Sequence, residues 1–542
     1  MFYRTIAALS ALAFVAGCTA SSPKRTTPRE TLRDNLTTID TVQLAEQSVS
    51  PPVSVEEATE QIAQQVTEPN APSKTLELTL EQVRQATLAN NLDLKVELVD
   101  PAIAQRSLDA ERAKFESVFF GSASYARSEA LGTGDVSKAW SSEVGVAKPL
   151  PTGGTLEIGL PFGDTDSGGL ATAAASVSYV QSLLRGSGTR INTQSIRIAE
   201  HEWNIVSART KRTAIALLAN ADIVYWRLYA ARKALDVRRE QYKLAQNQLS
   251  HAKKKVAAGS APKIEIVLAE AGLASRLEAV INAETTVQSY RRELLRIMNR
   301  NDVPFEAAVD IVPKTNPSPL GLDLDVQQLA EKALTLRMEM IELEQLLRID
   351  DLDIELARDA TRPDLALTYR YSTQSEAGSV GSAFEDLTGN ASDDHVIGLS
   401  ASIPLGNRAA QARLQQARLV KIQNEAWRDR LRQTIRQEVY ETVSDLERNW
   451  RRILATEQGV VAAFRDYRVK QSQFQLGAST STDVLYSATQ LADAQLSQIR
   501  AFSDYEIAQV NLARATGTLL GYGQVFLEPV DLPEQTGVSA VQ

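Results

Sequence analysis

Two stretches of this chain, 218 residues apart, repeat one pattern of helix end, short polar turn and new helix. A long helical pattern stops at Gly259 in the first stretch and at Gly477 in the second. Six residues after each glycine an acid, Glu265 or Asp483, opens the next helical pattern, and the register then continues without an insertion. A repeat of this length indicates one structural unit that was built twice, which limits the chain to folds with internal repetition.

Each copy contains a helical pattern far longer than an ordinary domain uses. Residues 192–258 contain neither proline nor glycine, and residues 408–476 contain no proline and only Gly459. At 1.5 Å per residue each helix would be roughly 100 Å long. Apolar residues recur at spacings of three and four, from Ala214 to Val256 and from Leu431 to Ile453. This stripe predicts partner helices beside each long helix.

Before each long helix the apolar period changes to two, which predicts strands. These segments lie in residues 115–184 of the first copy and 364–405 of the second, and they are rich in Gly, Ser, Thr and aromatic residues. We expect about four strong strands. The segment Ser141–Phe162 is either an extra hairpin of the same sheet or a projection outside it.

The strands also decide how this chain could cross a membrane. No segment after the N-terminal run is apolar enough for a spanning helix, which needs about 20 residues. Strands in lipid have to close into a barrel, because every backbone polar group needs a partner there. Four strands are too few for such a barrel, so several chains must share it.

The N-terminus predicts export and lipid attachment. Arg4 precedes the short apolar run Ile6–Ala16, which fits a signal-peptide core. Small residues then precede Cys18, the only cysteine of the chain. We predict cleavage before Cys18 and a covalent lipid, such as palmitate, on that residue; an ordinary signal peptide is the alternative. Thr19, rather than Asp, favours the outer membrane. The net charge of −9 argues against nucleic acid as a partner.

The predicted organisation has six segments. These are the signal peptide 1–17, a lipidated tether 18–75, a first repeat 76–300, a linker 301–322, a second repeat 323–520 and a tail 521–542.

Four segments carry a resemblance to a known family. Ser178–His201 and Leu399–Leu419 at the strand-to-helix junctions, together with Ala513–Gly521 and the turn around Gly477, resemble the TolC family of outer-membrane efflux proteins. The resemblance covers about residues 76–520. It implies a mainly α fold with a membrane β-barrel, in which coiled-coil helices form an α-barrel tunnel and about four strands per chain join a shared twelve-stranded barrel.

The same resemblance implies the partners and the location. A homotrimer would dock to a periplasmic membrane-fusion adaptor and an inner-membrane pump, with outer-membrane lipids around the barrel. The protein would be anchored by lipid in the cell outer membrane and would extend into the periplasm. Nucleic acid is not an expected partner.

Within this resemblance the two glycine turns mark hairpin tips at the periplasmic entrance. Asp483 matches the acid that lines the constriction, and Glu265 is its counterpart in the first tip. A purely structural interpretation stays open, because glycine ends helices in the left-handed conformation and an acid stabilises the positive end of the next helix. Lys253–Lys255 precede the first tip; we expect a solvated basic helix end, with an acidic adaptor surface as the alternative.

The second tip departs from the best-known members of the family. Ser479 and Tyr486 stand where some members carry charged residues that close the entrance. Phe474 is aromatic but has no hydroxyl with which to hydrogen-bond Glu265. We therefore expect a gate that is held by packing of Phe474 and Tyr486 rather than by ion pairs.

Catalytic and metal-binding chemistry is not indicated. The three histidines, His201, His251 and His395, lie far apart and form no ligand pair on a helix. No nucleophile or phosphate-loop motif is visible. We predict no enzyme, no metal and no cofactor beyond the lipid on Cys18.

The predicted function is a trimeric outer-membrane channel, the exit duct of a tripartite efflux system, which passively conducts small molecules. Two alternatives remain open. One is the outer-membrane exit of a type I protein-secretion system. The other is a structural coiled-coil lipoprotein that spans the periplasm and conducts nothing.

Overall fold

The computed structural model describes residues 74–129, 136–165, 170–300, 302, 309–389, 391–476 and 478–522. All of them lie within one compact unit, Thr59–Gln542. The predicted signal peptide, the predicted lipid-attachment residue Cys18, most of the tether, Gly477 and the tail after residue 522 lie outside the described residues.

The first copy of the unit runs from a short strand through small helices and four longer strands into a long helical hairpin. Its elements are β1 (Lys74–Leu78), α1 (Leu80–Asn90), α2 (Leu92–Glu97), α3 (Asp100–Ala113), β2 (Val118–Glu129), β3 (Val136–Pro149), β4 (Gly154–Thr165), β5 (Leu170–Ser182), α4 (Thr189–Asn192), α5 (Gln194–Ala257), α6 (Ile264–Met298) and β6 (Val309–Pro313).

The second copy repeats the order of helices, strands and long hairpin with fewer strands. Its elements are α7 (Val326–Leu336), α8 (Met338–Asp359), β7 (Asp364–Ala377), α9 (Val380–Asp386), β8 (Ser392–Ser402), α10 (Arg408–Gln475), α11 (Ser481–Ala515) and α12 (Leu519–Tyr522).

The two long helices are confirmed, with 64 residues in α5 and 68 in α10. Each is followed by a returning helix of 35 residues, α6 or α11. The predicted apolar stripes pack against neighbouring helices, α6 for α5 and both α7 and α11 for α10, because side chains three and four residues apart share one side of a helix. The buried members include Ala214, Ala221, Val224 and Leu228 on α5 and Ile435, Val439, Leu446 and Ile453 on α10.

Six strands form one antiparallel sheet in the order β2-β3-β4-β5-β7-β8. The sheet therefore has two strands more than the four expected. The additional pair, β3 and β4, contains the segment Ser141–Phe162, and it is an internal part of the sheet. β3 pairs with β2, where Ser124 opposes Ser141, and β4 pairs with β5, where Gly159 opposes Ser176. The hairpin belongs there because its backbone groups find partners on both of its edges.

A second, two-stranded sheet was not expected. β1 and β6 pair in parallel, although β1 spans the predicted boundary between the tether and the first repeat and β6 lies in the predicted linker. Tyr225 of α5 holds this pair in place: its hydroxyl donates to the carbonyl oxygen of Leu78 at 3.1 Å and accepts from the backbone N–H of Thr315 at 2.9 Å. Val309 and Ile311 of β6 are buried against the same helix. The start of each copy is thereby fixed to the first long helix.

The polar segment between β7 and β8 contains a short helix that the sequence did not reveal. α9 begins after a capping box formed by Ser379 and Ser382. Ala383 of α9 is fully buried, and the ring of Phe384 lies 5.5 Å from that of Phe162 on β4. α9 therefore folds back onto one face of the sheet.

The replacement Tyr225→Phe tests the anchoring of the small sheet. It leaves the N–H of Thr315 without its partner and the carbonyl of Leu78 with only the N–H of Lys314, so we expect a loss of about 1–3 kcal/mol in the free energy of unfolding. Thermal unfolding of the detergent-solubilised protein measures it. Tyr440→Phe, at a half-exposed position on α10, is the matched control; equal stability of the two variants would contradict the assignment.

Candidate functional site

The six-stranded sheet has two chemically different faces. Side chains alternate between the faces of a strand, and the register of each pair transfers that alternation to its neighbour. One face, called here the apolar face, carries Phe119, Val144, Val146, Leu156, Ile158, Leu160, Phe162, Val177, Tyr179, Leu367, Tyr369, Ile397 and Leu399. The other, called the polar face, carries Ser122, Ser124, Ser141, Glu143, Glu157, Ser176, Ser178, Thr368, Arg370, Ser372 and Ser400.

The apolar face is exposed over much of its width. Phe119 is 73% exposed, Val146 41% and Ile158 51% on the neighbouring strands β2, β3 and β4, and Tyr369 is 37% and Ile397 76% exposed on the neighbouring β7 and β8. Exposed side chains of this size on neighbouring strands form a continuous patch, and such patches mark a surface that something else covers. The polar face also has apolar members, Val118, Phe120, Val180 and Val396, but serine and charged residues dominate it.

The apolar face is bounded at both ends of the strands by charged and aromatic residues. On β3, Lys138 and Lys148 stand on this face ten residues apart. At about 3.3 Å per residue and the usual strand tilt, that distance corresponds to roughly 25 Å, the height of the apolar band of an outer-membrane barrel. Trp140 packs edge-on against Phe162, with ring centroids 5.9 Å apart. Aromatic rings at the end of such a band are typical of a membrane interface.

The polar face is tightly arranged around two glycines that oppose each other on β3 and β4. A Cβ at Gly145 would meet the ring of Phe120 at 2.6 Å. A Cβ at Gly159 would meet the Glu143 carboxylate at 2.9 Å and the Ser176 hydroxyl at 3.2 Å. Glycine is needed at both positions because neighbouring side chains lie directly over the backbone. The Glu143 carboxylate is thereby placed across β4 on the polar face.

The tips of the two long hairpins lie at the other end of the long helices. At the first tip, Gly259 has a φ of 68°, and the N–H of Ser260 donates to the carbonyl of Lys255 at 2.9 Å. At the second tip, the N–H of Ala478 donates to the carbonyl of Gln473 at 2.8 Å. The two donors are 218 residues apart, as are the two acceptors. The predicted duplication of the turn is therefore visible in its hydrogen bonds.

The acids that follow the two turns have different surroundings. The Asp483 carboxylate accepts from the backbone N–H of Thr480 at 3.0 Å, from its hydroxyl at 2.7 Å and from the Ser479 hydroxyl at 3.2 Å. Thr480 in turn caps α11. These hydrogen bonds, the Thr480 hydroxyl first, lower the pKa of Asp483. Glu265 lies in the first turn of α6, whose N-cap Lys263 makes no side-chain cap bond. Asp483 thus has a structural role in this chain that Glu265 lacks.

The aromatic residues of the second tip are placed differently from each other. The ammonium of Lys255, at the end of α5, lies 4.2 Å from the ring centroid of Phe474, near the end of α10. This cation–π contact joins the two hairpin tips of one chain. Tyr486 is 66% exposed. The sequence did not indicate Lys255 as the partner of Phe474; three consecutive lysines gave no reason to choose one.

An apolar patch lies beside the tips. Ile264, Val267 and Leu268 share one side of the first turns of α6, and each is 56% exposed. Leu476 at the second tip is 85% exposed. The corresponding side of α11 is partly covered, because Leu485 packs within 3.8 Å of the Cβ position of Gly272. The first tip therefore exposes three apolar side chains on one side of a single helix.

No sign of a metal centre or a spanning helix is found in the part of the chain that the structure describes. None of its helices combines the length and the apolarity that crossing a membrane requires. Within those same residues, no group of three or more His, Cys, Asp or Glu side chains is placed to hold a metal ion.

Comparisons with known proteins identify the second copy. The family model for outer membrane efflux proteins matches residues 329–518. The match lies within the second copy, from α7 to the residue before α12. No curated protein sequence matches the chain. The resemblance to the TolC family is confirmed, and this family consists of channels rather than enzymes.

Solved structures share the fold over most of the chain. A membrane protein from Pseudomonas aeruginosa is 19% identical and covers 81% of this chain and 93% of its own, with a TM-score of 0.64. The CmeC outer membrane channel of Campylobacter jejuni is 15% identical and covers 88% of this chain and 90% of its own, with a TM-score of 0.64. The open state of the MtrE outer membrane channel of Neisseria gonorrhoeae is 17% identical and covers 81% of this chain and 89% of its own, with a TM-score of 0.59. At these identities the likeness establishes the fold of an outer membrane efflux protein.

The cap at the second tip can be tested through Thr480. The replacement Thr480→Ala removes the N-cap of α11. We expect it to lower the free energy of local unfolding of this helix end by about 0.5–2 kcal/mol. Faster hydrogen exchange in the first turn of α11 would show it. Lys263→Ala, at the uncapped N-terminus of α6, is the control and should leave exchange in α6 nearly unchanged.

The pH dependence of the same cap has a definite sign. Because the pKa of Asp483 is lowered on folding, its hydrogen bonds stabilise the turn at pH values above the unfolded carboxyl pKa, and that stabilisation is lost as the pH falls through the lower, folded value. Protection of this turn should therefore be the same at pH 7 and pH 5. Loss of protection already between pH 7 and pH 5 would contradict the assignment.

Proposed function

We propose that this chain forms the outer-membrane exit duct of a tripartite efflux system, a channel that conducts small molecules passively. The observation that carries the proposal is the sheet with one exposed apolar face and one polar face, joined to two hairpins that each contain one helix roughly 100 Å long. Lipid covers the apolar face, water fills the space inside the polar face, and the hairpins carry the duct away from the membrane. The family match and the shared fold of solved outer membrane channels support this assignment.

The duct is a homotrimer in this proposal. Within the described residues, β2 and β8 are the outer strands of the sheet and each has a single neighbour. An edge strand in lipid leaves backbone groups without hydrogen-bond partners, so the edges have to be completed by other copies of the chain. A lipid on Cys18 would add a second attachment to the outer membrane.

The partners are a periplasmic adaptor and an inner-membrane pump. The apolar patch of Ile264, Val267 and Leu268 at the first tip supports an adaptor contact there, because exposed apolar groups of this kind favour protein–protein association. In this proposal the pump supplies the energy and the duct conducts passively. A scaffold without a pore would have no use for a sheet with an exposed apolar face.

The gate lies at the hairpin tips, and Phe474 holds it closed. The contact between Lys255 and the Phe474 ring joins the end of α5 to the end of α10. The two tips of a chain are thereby kept together, so that opening requires this contact to break. Ion pairs have a smaller role here, since Asp483 is already engaged in the cap of α11.

Recording from planar bilayers tests the duct. The purified full-length protein should give discrete conductance steps, because a water-filled sheet closed by several copies lets ions pass. A preparation that inserts into the bilayer and conducts nothing would overturn the proposed function.

The same recording tests the gate. Phe474→Ala removes the ring beneath Lys255, and we expect a larger mean conductance than that of wild type. Phe464→Ala is the matched control, since Phe464 lies ten residues earlier on α10 with Arg468 5.8 Å from its ring centroid; it should behave like wild type. Unchanged conductance of Phe474→Ala would show that this ring does not hold the gate.

A further inference from the structure

The hairpin formed by β3 and β4 has no counterpart in the second copy. The second copy reaches its long helix through β7 and β8 alone, whereas the first uses β2, β3, β4 and β5. β2 ends at the same end of the sheet at which β5 begins, and the hairpin leaves from that end and returns to it. Without residues 136–165, β2 and β5 would still run antiparallel to each other, and the direction of every other strand would be unchanged. The hairpin is therefore an insertion into a sheet that could close without it.

This inserted hairpin has one apolar face and one polar face, as the strands around it do. On its apolar face it carries large side chains in a row: Val144, Val146, Leu156, Ile158 and Leu160. On its polar face Ser141 hydrogen-bonds Ser124 of β2 at 2.7 Å, and Glu143 lies over Gly159 toward Ser176 of β5. A hairpin that projected into water would need no apolar face. Its side chains fit a strand pair with lipid on one side and water on the other.

The two free edges of the six-stranded sheet can join to each other between copies. Neighbouring strands in this sheet all run antiparallel, so the first and the sixth strand point in opposite directions. β8 of one copy can therefore pair with β2 of the next in the same antiparallel pattern. The two edges also match in length, with 12 residues in β2 and 11 in β8.

We propose that three copies close a wall of eighteen strands, in which the β3–β4 hairpin lines the lumen. The inference rests on the proposed trimeric duct and changes its dimensions. Barrel diameter grows roughly in proportion to strand number, and sixteen to eighteen strands leave an open aqueous channel. The outer part of the duct is then about one and a half times as wide as one with twelve strands would be. It therefore accepts bulkier solutes.

The hairpin also changes the charge of the lumen. Glu143 and Glu157 are its charged residues on the polar face, and three copies bring six carboxylates. β7 and β8 add Asp364, Arg370, Glu376 and Asp394 to the same face, with Asp364 paired to Arg185 at 2.6 Å. Carboxylates in excess of cations favour positively charged solutes in a pore. The wide lumen therefore prefers cationic cargo over anionic cargo of the same size.

Adjacent serines on β3 provide a direct test of the hairpin's position. Ser141 lies on the polar face and Ser142 on the apolar face. The chain's only other cysteine is Cys18. In proteoliposomes, a charged, water-soluble methanethiosulfonate should label Ser141→Cys and fail to label Ser142→Cys. Equal labelling of both variants would place the hairpin in water outside the wall and overturn the inference, while conductance of either variant would leave the proposed duct intact.

Strand counting and charge selectivity give independent readouts. Cryo-electron microscopy of the wild-type trimer should show eighteen strands; a closed wall of twelve would contradict the inference and leave the duct standing. The double variant Glu143→Gln/Glu157→Gln should shift the reversal potential in a KCl gradient toward lower cation preference. Asp164→Asn, on the apolar face of β4, should not. An unchanged reversal potential in the double variant would show that the two carboxylates do not line the pore.

Discussion

The alternation of side chains along a β-strand is the constraint on which the rest of this structure depends. Residues that oppose each other on neighbouring strands lie on the same face of the sheet. The alternation along all six strands therefore gives an exposed apolar face on one side and a serine-rich face on the other. Each fully exposed large apolar side chain costs about 1.5–3 kcal/mol relative to a buried one. A sheet of this kind is stable only where lipid or another apolar surface covers it. Both long helices follow strands that finish at the same end of this sheet, so the placement of the sheet also fixes the placement of the helices.

Much of the helical part could be predicted from the sequence, because it follows from local rules. The absence of proline and glycine over more than sixty residues defined α5 and α10, and the spacing of residues such as Val224 and Ile435 identified the buried side. The cap Thr79 was visible from its side chain and position. These features need no knowledge of distant contacts.

The elements that were missed depend on contacts between distant residues. β1 and β6 are five-residue strands separated by more than two hundred residues, and their pairing is fixed by Tyr225 of α5 rather than by their own pattern. The hairpin Ser141–Phe162 alternated clearly, but only the register with β2 and β5 decides that it lies within the sheet. The partner of Phe474 is another such case, since Lys255 comes from the other hairpin.

The duplicated tips show how one backbone turn can serve two roles. Both close with the same hydrogen bond, yet only the second has a capping box, in which Thr480 and Asp483 satisfy each other. The acid that the family resemblance assigned to the constriction is thus engaged in local structure. The first tip lacks that cap and instead exposes Ile264, Val267 and Leu268, which suits a surface that meets a partner.

The central claim is that the apolar face of the sheet lies in lipid. Fluorescence of a variant that keeps Trp140 as its only tryptophan, reconstituted in lipids with brominated acyl chains, tests it most directly. Trp140 on the apolar face is 37% exposed, and Trp427 on α10 is 53% exposed. The account predicts strong quenching of Trp140 and none of Trp427 in a matching variant. Equal fluorescence of Trp140 in brominated and ordinary lipids would contradict it.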